Sequence, residues 1–489
     1  MVGAAALGLE RVVVSLVPMG IAASLLHAAL RGVGLRPAAA LAVSGVAACA
    51  GTIVLAGRLP AYLDGGLRRA PWLAVAWLGL GAAAVAATAW LSIFMIDASR
   101  AERSIYPFDD FFVHHSCLSA HYRSAQLQRA GVANVYERTN FEGPAGEPTF
   151  VDGFVVDVFL YPPPMLLASR LALALSEDFG AWRAVWFALE GALVGLALLA
   201  VAGFIGGAEG ARAAWLAPLV WVAVPTLLTL QIGNLHLAAI ALSMLAMIAL
   251  ARGRHAIGGT LLAAITLFKI FPGILIVLLL CQRRWRSLAW VTGAAGTILA
   301  LAFAILGMAP FRAFVTYQLP RLASGAAFES LFAHPDTIAA NQSIFGLVQK
   351  LDLLGAPGMG TTTAAAVTWI YTGALIAVVA VRARATLDRA SQALLWLVLV
   401  QLASLRSPFT PDTYAAFPLV WMLVLWLARR GWAGWRTAGV SALLVLANAL
   451  VPAVEIMPIT WLLAATLAMQ LVFFACYATE VWPARPVNP

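Results

Sequence analysis

Apolar runs of about twenty residues recur along the chain, and that is the length an α-helix needs to cross a hydrocarbon core about 30 Å thick. Ten such runs stand out, at roughly residues 11–31, 37–56, 72–96, 184–207, 213–231, 234–251, 288–307, 363–381, 437–452 and 459–478. Two shorter ones, 390–404 and 414–428, complete a crossing with their flanking residues. Lipid offers backbone amides no water to bond to, so segments like these form helices. An all-α, polytopic integral membrane protein is expected. Of its 489 residues 62% are hydrophobic and 11% charged, against about a quarter charged in soluble domains, which excludes an ordinary soluble core. The first run, Val12 to Leu30, has no clear cleavage site and is followed by many more, so it reads as a retained helix.

Charge orients the spans. The net charge is +9, but the arginines stand singly or in small groups between apolar runs. No basic stripe with interleaved aromatics marks a nucleic-acid partner. Cytoplasmic loops are rich in Lys and Arg, and the clusters here are Arg58/Arg68/Arg69, Arg252/Arg254, Arg283/Arg284/Arg286, Arg382/Arg384/Arg389 and Arg429/Arg430/Arg436. The stretch 256–281 is broken by Lys269 and Pro272. Read as two short helices meeting at Lys269, it puts all five clusters on one side; read as one helix, it does not. The first reading is adopted, giving 12–14 crossings, both termini inside and Lys269 at the outer end.

Three stretches then share the outer face: 97–183, 308–362 and the turn from Arg406 to Thr413. The chain divides into N-terminal membrane helices (1–96), an outer catalytic loop with interfacial helices (97–183), and a membrane bundle (184–489) carrying the outer loop 308–362. Residues 97–180 hold eleven of the 22 acidic residues. A long polar loop in so apolar a chain points to function. Within it, Tyr161-Pro162-Pro163-Pro164 starts a helix too short to span, suited to the interface.

Several residues there could carry chemistry. Asp109 and Asp110 are adjacent carboxylates close to the membrane surface. Like charges disfavour double ionisation, which suits one of them to act as a general base. Asp110, just before Phe111 to Val113, is the expected base, desolvated by those apolar neighbours. Lys269 is a lone cation in an apolar run, which marks a functional path and suits an anionic phosphate. Gln231 and Asn234 lie in a tight turn between spans, where amides can orient sugar hydroxyls or satisfy backbone groups. His236 reads as a packed histidine. His334 and Asp336 offer two ligands without a third. Cys49, Cys117, Cys281 and Cys476 lie too far apart for a disulfide framework or a zinc spacing. No metal and no cofactor is expected. Arg406, in a proline-stiffened turn, could pair with a phosphate or with Asp412.

In order, an acidic residue in the first outer loop, the Tyr161-Pro162-Pro163 element, the Gln231-x-x-Asn234 turn, the Lys269-x-x-Pro272 break, Asn341-Gln342-Ser343 and the Ser407-Pro408 turn resemble glycosyltransferase family 87 of the GT-C superfamily. The likeness runs from about residue 108 to residue 420. Members use polyprenyl-phosphate sugars and include mannosyl- and arabinofuranosyltransferases of cell-envelope assembly. The resemblance implies a catalytic Asp at Asp109 or Asp110, donor phosphate at Lys269, and the amides Gln231, Asn234, Asn341 and Gln342 near the sugars. Beside these, Tyr161 and His334 are expected at the sugar or acceptor and Arg406 at the donor phosphate. Two extra spans precede the loop, the acidic motif is a doublet, and the late turn reads Ser-Pro-Phe-Thr-Pro-Asp.

The expected function is therefore inverting transfer of a mannose, another hexose or a pentose from a polyprenyl-phosphate donor to a glycolipid or envelope-glycan acceptor. The bilayer is the third partner, and the site faces outward from the plasma membrane. A polyprenyl tail dissolves in lipid while its phosphate and sugar stay at the interface, where helix ends and an outer loop meet them. The competing class is a transporter or flippase, which shares broken helices and an intramembrane lysine but does not need so long an acidic loop. A scaffold for envelope assembly is a third.

Overall fold

The computed structural model describes residues 2–58, 71–144, 146–430, 435–449 and 457–481. The chain opens with α1 (Val2–Gly32), α2 (Pro37–Arg58) and α3 (Pro71–Ile96). Arg68 and Arg69, assigned above to an inner loop, lie outside the described residues. The 97–183 loop then folds as the short α4 (Asp110–His114) and α5 (Leu118–Arg129), a hairpin of β1 (Phe150–Val151) and β2 (Phe154–Val155), and α6 (Pro163–Leu175). Proline costs nothing in the first turn of a helix, where its missing N–H would be unpaired anyway, and α6 starts on Pro163 and Pro164. Its Met165, Leu166 and Leu167 are buried, whereas Leu171 and Leu175 stay exposed, an apolar edge suited to the membrane interface.

The bundle proper begins with α7 (Phe179–Ile205), started by the Asp178 side chain accepting from the Gly180 amide. Gly191 faces α1 so closely that a Cβ would come 2.8 Å from Leu25. A small residue there lets the two helices cross in contact. Next come α8 (Gly207–Trp221) and α9 (Val224–Ile232), bent by 60° at a break that includes Ala223. Pro225 favours that break, since it cannot supply an amide to a continuous helix. The run 213–231 is thus a bent pair, not one straight span.

The reading of 256–281 as two short helices matches the structure. After α10 (His236–Ala251) come α11 (His255–Phe268), a 3₁₀ turn Phe271–Gly273, α12 (Ile274–Cys281) and α13 (Trp285–Leu306). Arg284 Nη2 donates to the Leu250 carbonyl at 2.7 Å, and His255 Nδ1 lies 3.0 Å from Ser287 Oγ. These contacts gather the Arg252/Arg254 and Arg283/Arg284/Arg286 clusters at one end of the bundle. At about 1.5 Å per residue, α11 carries Lys269 roughly 20 Å away from that end.

Short helices over 309–340 lead to α14 (Ile344–Leu353), followed by α15 (Thr361–Arg382), α16 (Arg389–Ser404), α17 (Asp412–Arg430), α18 (Trp435–Ala449) and α19 (Ile459–Val481). The 437–452 run is described only through residue 449. The main core joins α7, α10, α16 and α17, and Phe417, Leu419, Val420, Trp421 and Met422 of α17 are almost wholly enclosed. Among the described residues seven helices are long and apolar enough to cross a membrane, or eight with the bent pair. The larger sequence-based number arises because α10, α11, α12, α16, α17 and α18 were also counted as crossings. The protein is an all-α polytopic membrane protein.

Candidate functional site

The site grows from three places where a helix stops. Helix α9 ends at Gly233 with φ +69°, and a Cβ there would also meet Leu118 at 3.0 Å. Only glycine suits that left-handed position at no steric cost, and the chain can then reverse at once into α10. The reversal presents Asn234. Its Oδ1 accepts from the His236 amide at 3.0 Å and from the Lys269 ammonium at 2.7 Å. Lys269 comes from the second stop, the end of α11, where its backbone turns extended. Its Nζ sits 5.6–6.0 Å from the ring centroids of Tyr414, Tyr161 and Phe271, a cation among aromatic faces.

The third stop lies between α4 and α5. Cys117 donates its amide to the Ile232 carbonyl at 2.8 Å, and its Sγ accepts from Asn234 Nδ2 at 3.2 Å. The same sulfur is 3.5 Å from His115 Nε2 and 3.7 Å from the Tyr414 hydroxyl. His115 Nδ1 faces Asp157 Oδ1 at 3.6 Å. Asn234 therefore links a cation on one side to a thiol, an imidazole and a carboxylate on the other. Glu190, fully buried in α7, accepts from the Ala238 amide at 3.1 Å within electrostatic range of Lys269.

Burial and charge set the protonation of the loop groups. Burial pulls the His115 imidazolium down, but the Asp157 carboxylate and Cys117 outweigh it and push it up to about 9. Burial raises Asp157 against the pull of His115. Such a pair holds a proton near neutral pH. His121, packed on Tyr161 and Phe159, is driven down to about 3 by burial and by Lys269.

The sequence-selected residues divide in position. Lys269, Asn234 and Tyr161 come together. Asp109 caps α4, its Oδ1 accepting from the Phe111 amide at 2.9 Å, and Asp110 is exposed. The desolvation expected from Phe111 to Val113 does not occur, because Phe111 points away, itself 57% exposed, and stacks on the His115 ring. Among the described residues, no hydrogen bond or ion pair joins either carboxylate to the Lys269 group. The Gln231 amide is spent on the outer loop: Oε1 accepts from the Ile105 amide, and Nε2 donates to Ser104 Oγ and the Phe112 carbonyl. Asn341 is fully buried and clamps the late turn, while Gln342 is buried beside it. Arg406 lies over Trp369 and donates to Thr372 Oγ1 at 3.3 Å, not to Asp412. His334 and Asp336 are exposed in the 308–362 loop.

Sequence reasoning passed over His115, Asp157, Glu190 and Tyr414, and weighed Cys117 only as a cysteine without a disulfide or zinc spacing. Two signals were legible: the His115-x-Cys117 spacing, and a lone carboxylate, Glu190, inside an apolar span.

A many-helix membrane protein whose polar side chains converge at one end of the bundle, beside a folded outer loop, is the class that this architecture defines. The chain belongs to glycosyltransferase family 87, whose model matches residues 159–408, about half of its length. It is a glycosyltransferase, not the transporter considered above. The matched span takes in Tyr161, Gln231, Asn234, Lys269, Asn341, Gln342 and Arg406, and starts just after Asp157. No curated protein and no solved structure matches the chain.

Proposed function

We propose that this glycosyltransferase moves a sugar, mannose or another hexose or pentose, from a polyprenyl-phosphate donor to a glycolipid or envelope-glycan acceptor at the outer face of the plasma membrane. The observation that carries the reading is Lys269. A half-buried ammonium at a helix break, fixed by Asn234 and ringed by Tyr161, Tyr414 and Phe271, suits a phosphate that arrives through lipid, because a cation held in place needs no rearrangement as the leaving group gains charge. The outward orientation rests on the inner bias of the arginine clusters.

The acceptor hydroxyl loses its proton within the His115–Cys117–Asp157 cluster and attacks the anomeric carbon. The carbon–oxygen bond to phosphate breaks, and the phosphate departs on Lys269. A single displacement inverts the anomeric centre. The cluster is favoured over Asp110 as the acceptor-activating element because Asn234 ties it to Lys269, whereas Asp110 faces solvent. The test is to incubate the purified protein with a panel of polyprenyl-phosphate sugars and a membrane glycolipid extract, and to identify products by mass. A hexose or pentose added from a polyprenyl donor supports the reading. Transfer only from nucleotide sugars overturns it.

A further inference from the structure

Beside Asn234, Cys117 Sγ is within reach of a weak sulfur hydrogen bond to His115 Nε2, but the imidazole and the Asp157 carboxylate are not bonded to each other. The His115–Asp157 contact of 3.6 Å is too long for a hydrogen bond. Yet His115, Cys117 and Asp157 each bring one ligand atom to within 4.8 Å of the other two. With zinc–sulfur and zinc–nitrogen bonds of about 2.3 and 2.0–2.1 Å in a tetrahedral site, a sulfur and a nitrogen on one ion stand roughly 3.5 Å apart. Cys117 Sγ and His115 Nε2 are 3.5 Å apart.

Each group is also held in position from outside. The His115 ring stacks on Phe111 with centroids 4.4 Å apart, and the His115 backbone bridges to Val155. The Asp157 amide donates to Ser119 Oγ at 3.0 Å, which fixes its segment against α5. Cys117 is anchored by Ile232 and receives the Asn234 amide on its sulfur. Outer partners of this kind orient metal ligands. The His115 and Asp157 side chains are 16% and 28% exposed, so the triangle is open on one side. Three protein ligands and an open fourth position are the pattern of a catalytic zinc site, while a structural site closes with four.

We propose that His115, Cys117 and Asp157 bind a borderline-soft divalent cation, zinc by its chemistry, and that the acceptor hydroxyl takes the fourth position. Mixed sulfur, nitrogen and oxygen donors select zinc or cobalt over magnesium or calcium. A hydroxyl bound there gives up its proton more readily, and the second Asp157 carboxylate oxygen receives it. The oxygen then attacks the sugar, and the phosphate leaves on Lys269. This deepens the transfer reading above and rests on it for the acceptor alone; the cation site stands or falls by itself.

The experiment uses the full chain, purified in detergent without a metal-affinity tag. Metal content is measured, the protein is stripped with a chelator, and cobalt(II) is titrated in. We expect one equivalent of bound metal, the visible bands of tetrahedral cobalt and a thiolate-to-cobalt charge-transfer band. Cys117→Ser abolishes the charge-transfer band, Asp157→Asn weakens cobalt binding, and Asn234→Ala weakens it by about 10–100-fold as an outer partner. Zinc raises the unfolding temperature of the parent protein but not of Cys117→Ser, which separates binding from misfolding. A charge-transfer band that is missing in the parent or unchanged in Cys117→Ser overturns the site, as does full turnover by stripped protein that refuses cobalt. A protein that binds cobalt through Cys117 yet transfers nothing from any polyprenyl donor keeps the site and loses the proposed donor.

Discussion

Lys269 donates to Asn234 Oδ1 at 2.7 Å, and Asn234 spends its amide nitrogen on Cys117, so the helix-end cation and the outer-loop cluster are held in one frame. In the proposed transfer, removing the cation leaves the departing phosphate uncompensated. Lys269→Ala should lower kcat/KM for the donor by about 10²–10³, equivalent to roughly 2.7–4 kcal/mol of transition-state stabilisation. Lys269→Arg should not restore it, because a planar guanidinium cannot take the place of a compact ammonium among three rings. Steady-state kinetics on monodisperse protein decide the matter. Activity within about threefold of the parent in Lys269→Ala removes the phosphate role.

The carboxylates should rank by position. Asp157 faces His115 and Cys117, whereas Asp110 is exposed and Asp109 caps a five-residue helix. Asp157→Asn should cut turnover by about 10²–10⁴-fold. Asp110→Asn should change little, and Asp109→Asn should cost at most about 1 kcal/mol of local stability through the weakened cap. Turnover of the three variants with one donor gives the order. A dead Asp110→Asn beside an active Asp157→Asn would return acceptor activation to the acidic doublet.

The contrast between Lys269 and Asp110 marks how far the sequence could be read. A lysine between two short apolar runs betrays itself, because a charge in lipid must have a purpose, and the arginine clusters at its far end fix the helix break. Residues in the outer loop carry no such pattern. Asp109 and Asp110 attracted attention as a doublet, yet a carboxylate's role depends on what folds over it, and here both stand at the start of α4, Asp109 as its cap and Asp110 exposed. Cys117 and Asp157 are forty residues apart in a polar loop, joined because Ser119 Oγ holds the Asp157 amide and the His115 backbone bridges to Val155. Gln231 and Asn341 show the opposite case. Their positions in family-like motifs were legible, but only the folded chain shows that backbone groups consume both amides.

His121 ties acid stability to the site. Its folded pKa of about 3 lies below the ordinary value of 6.5, so the unfolded chain takes up the proton first as pH falls. Its contribution is present in full above about pH 6.5 and lost progressively toward pH 3. At pH 5 the loss amounts to about 2 kcal/mol relative to pH 8. His121→Gln removes the titration, though not the cost of lost ring packing on Tyr161. Chemical denaturation in detergent at both pH values should show a smaller acid loss in the variant. An equal loss would mean that His121 is not buried as neutral imidazole.

Asn341 is expected to act as a clamp. Its Oδ1 accepts from the Ser343 and Thr410 amides at 3.1 and 3.0 Å, and its Nδ2 donates to the Pro408 carbonyl at 2.9 Å. Asn341→Ala strands two buried amides, at about 1–3 kcal/mol for each unsatisfied group. Gly346→Ala should act on the same clamp, since its Cβ would fall 2.4 Å from Asn341 Cγ. Both variants should unfold at lower temperature than the parent while their folded fraction keeps the donor KM. A raised KM at unchanged stability would instead make Asn341 a substrate contact.

The last expectation concerns sidedness. Arg284 is bonded to the Leu250 carbonyl, so the chain on either side of the α11–α12 pair begins and ends at one end of the bundle, and Lys269 lies at the other. By arginine bias the first end is expected to be cytoplasmic. Thr139 and Arg286 are both exposed, which makes them suitable positions for single cysteines once Cys49, Cys117, Cys281 and Cys476 are replaced by serine. In intact cells a membrane-impermeant maleimide should label Thr139→Cys and leave Arg286→Cys unlabelled until the membrane is permeabilised. Labelling of Arg286→Cys from outside would invert the protein, move Lys269 to the cytoplasmic side and require a donor presented there.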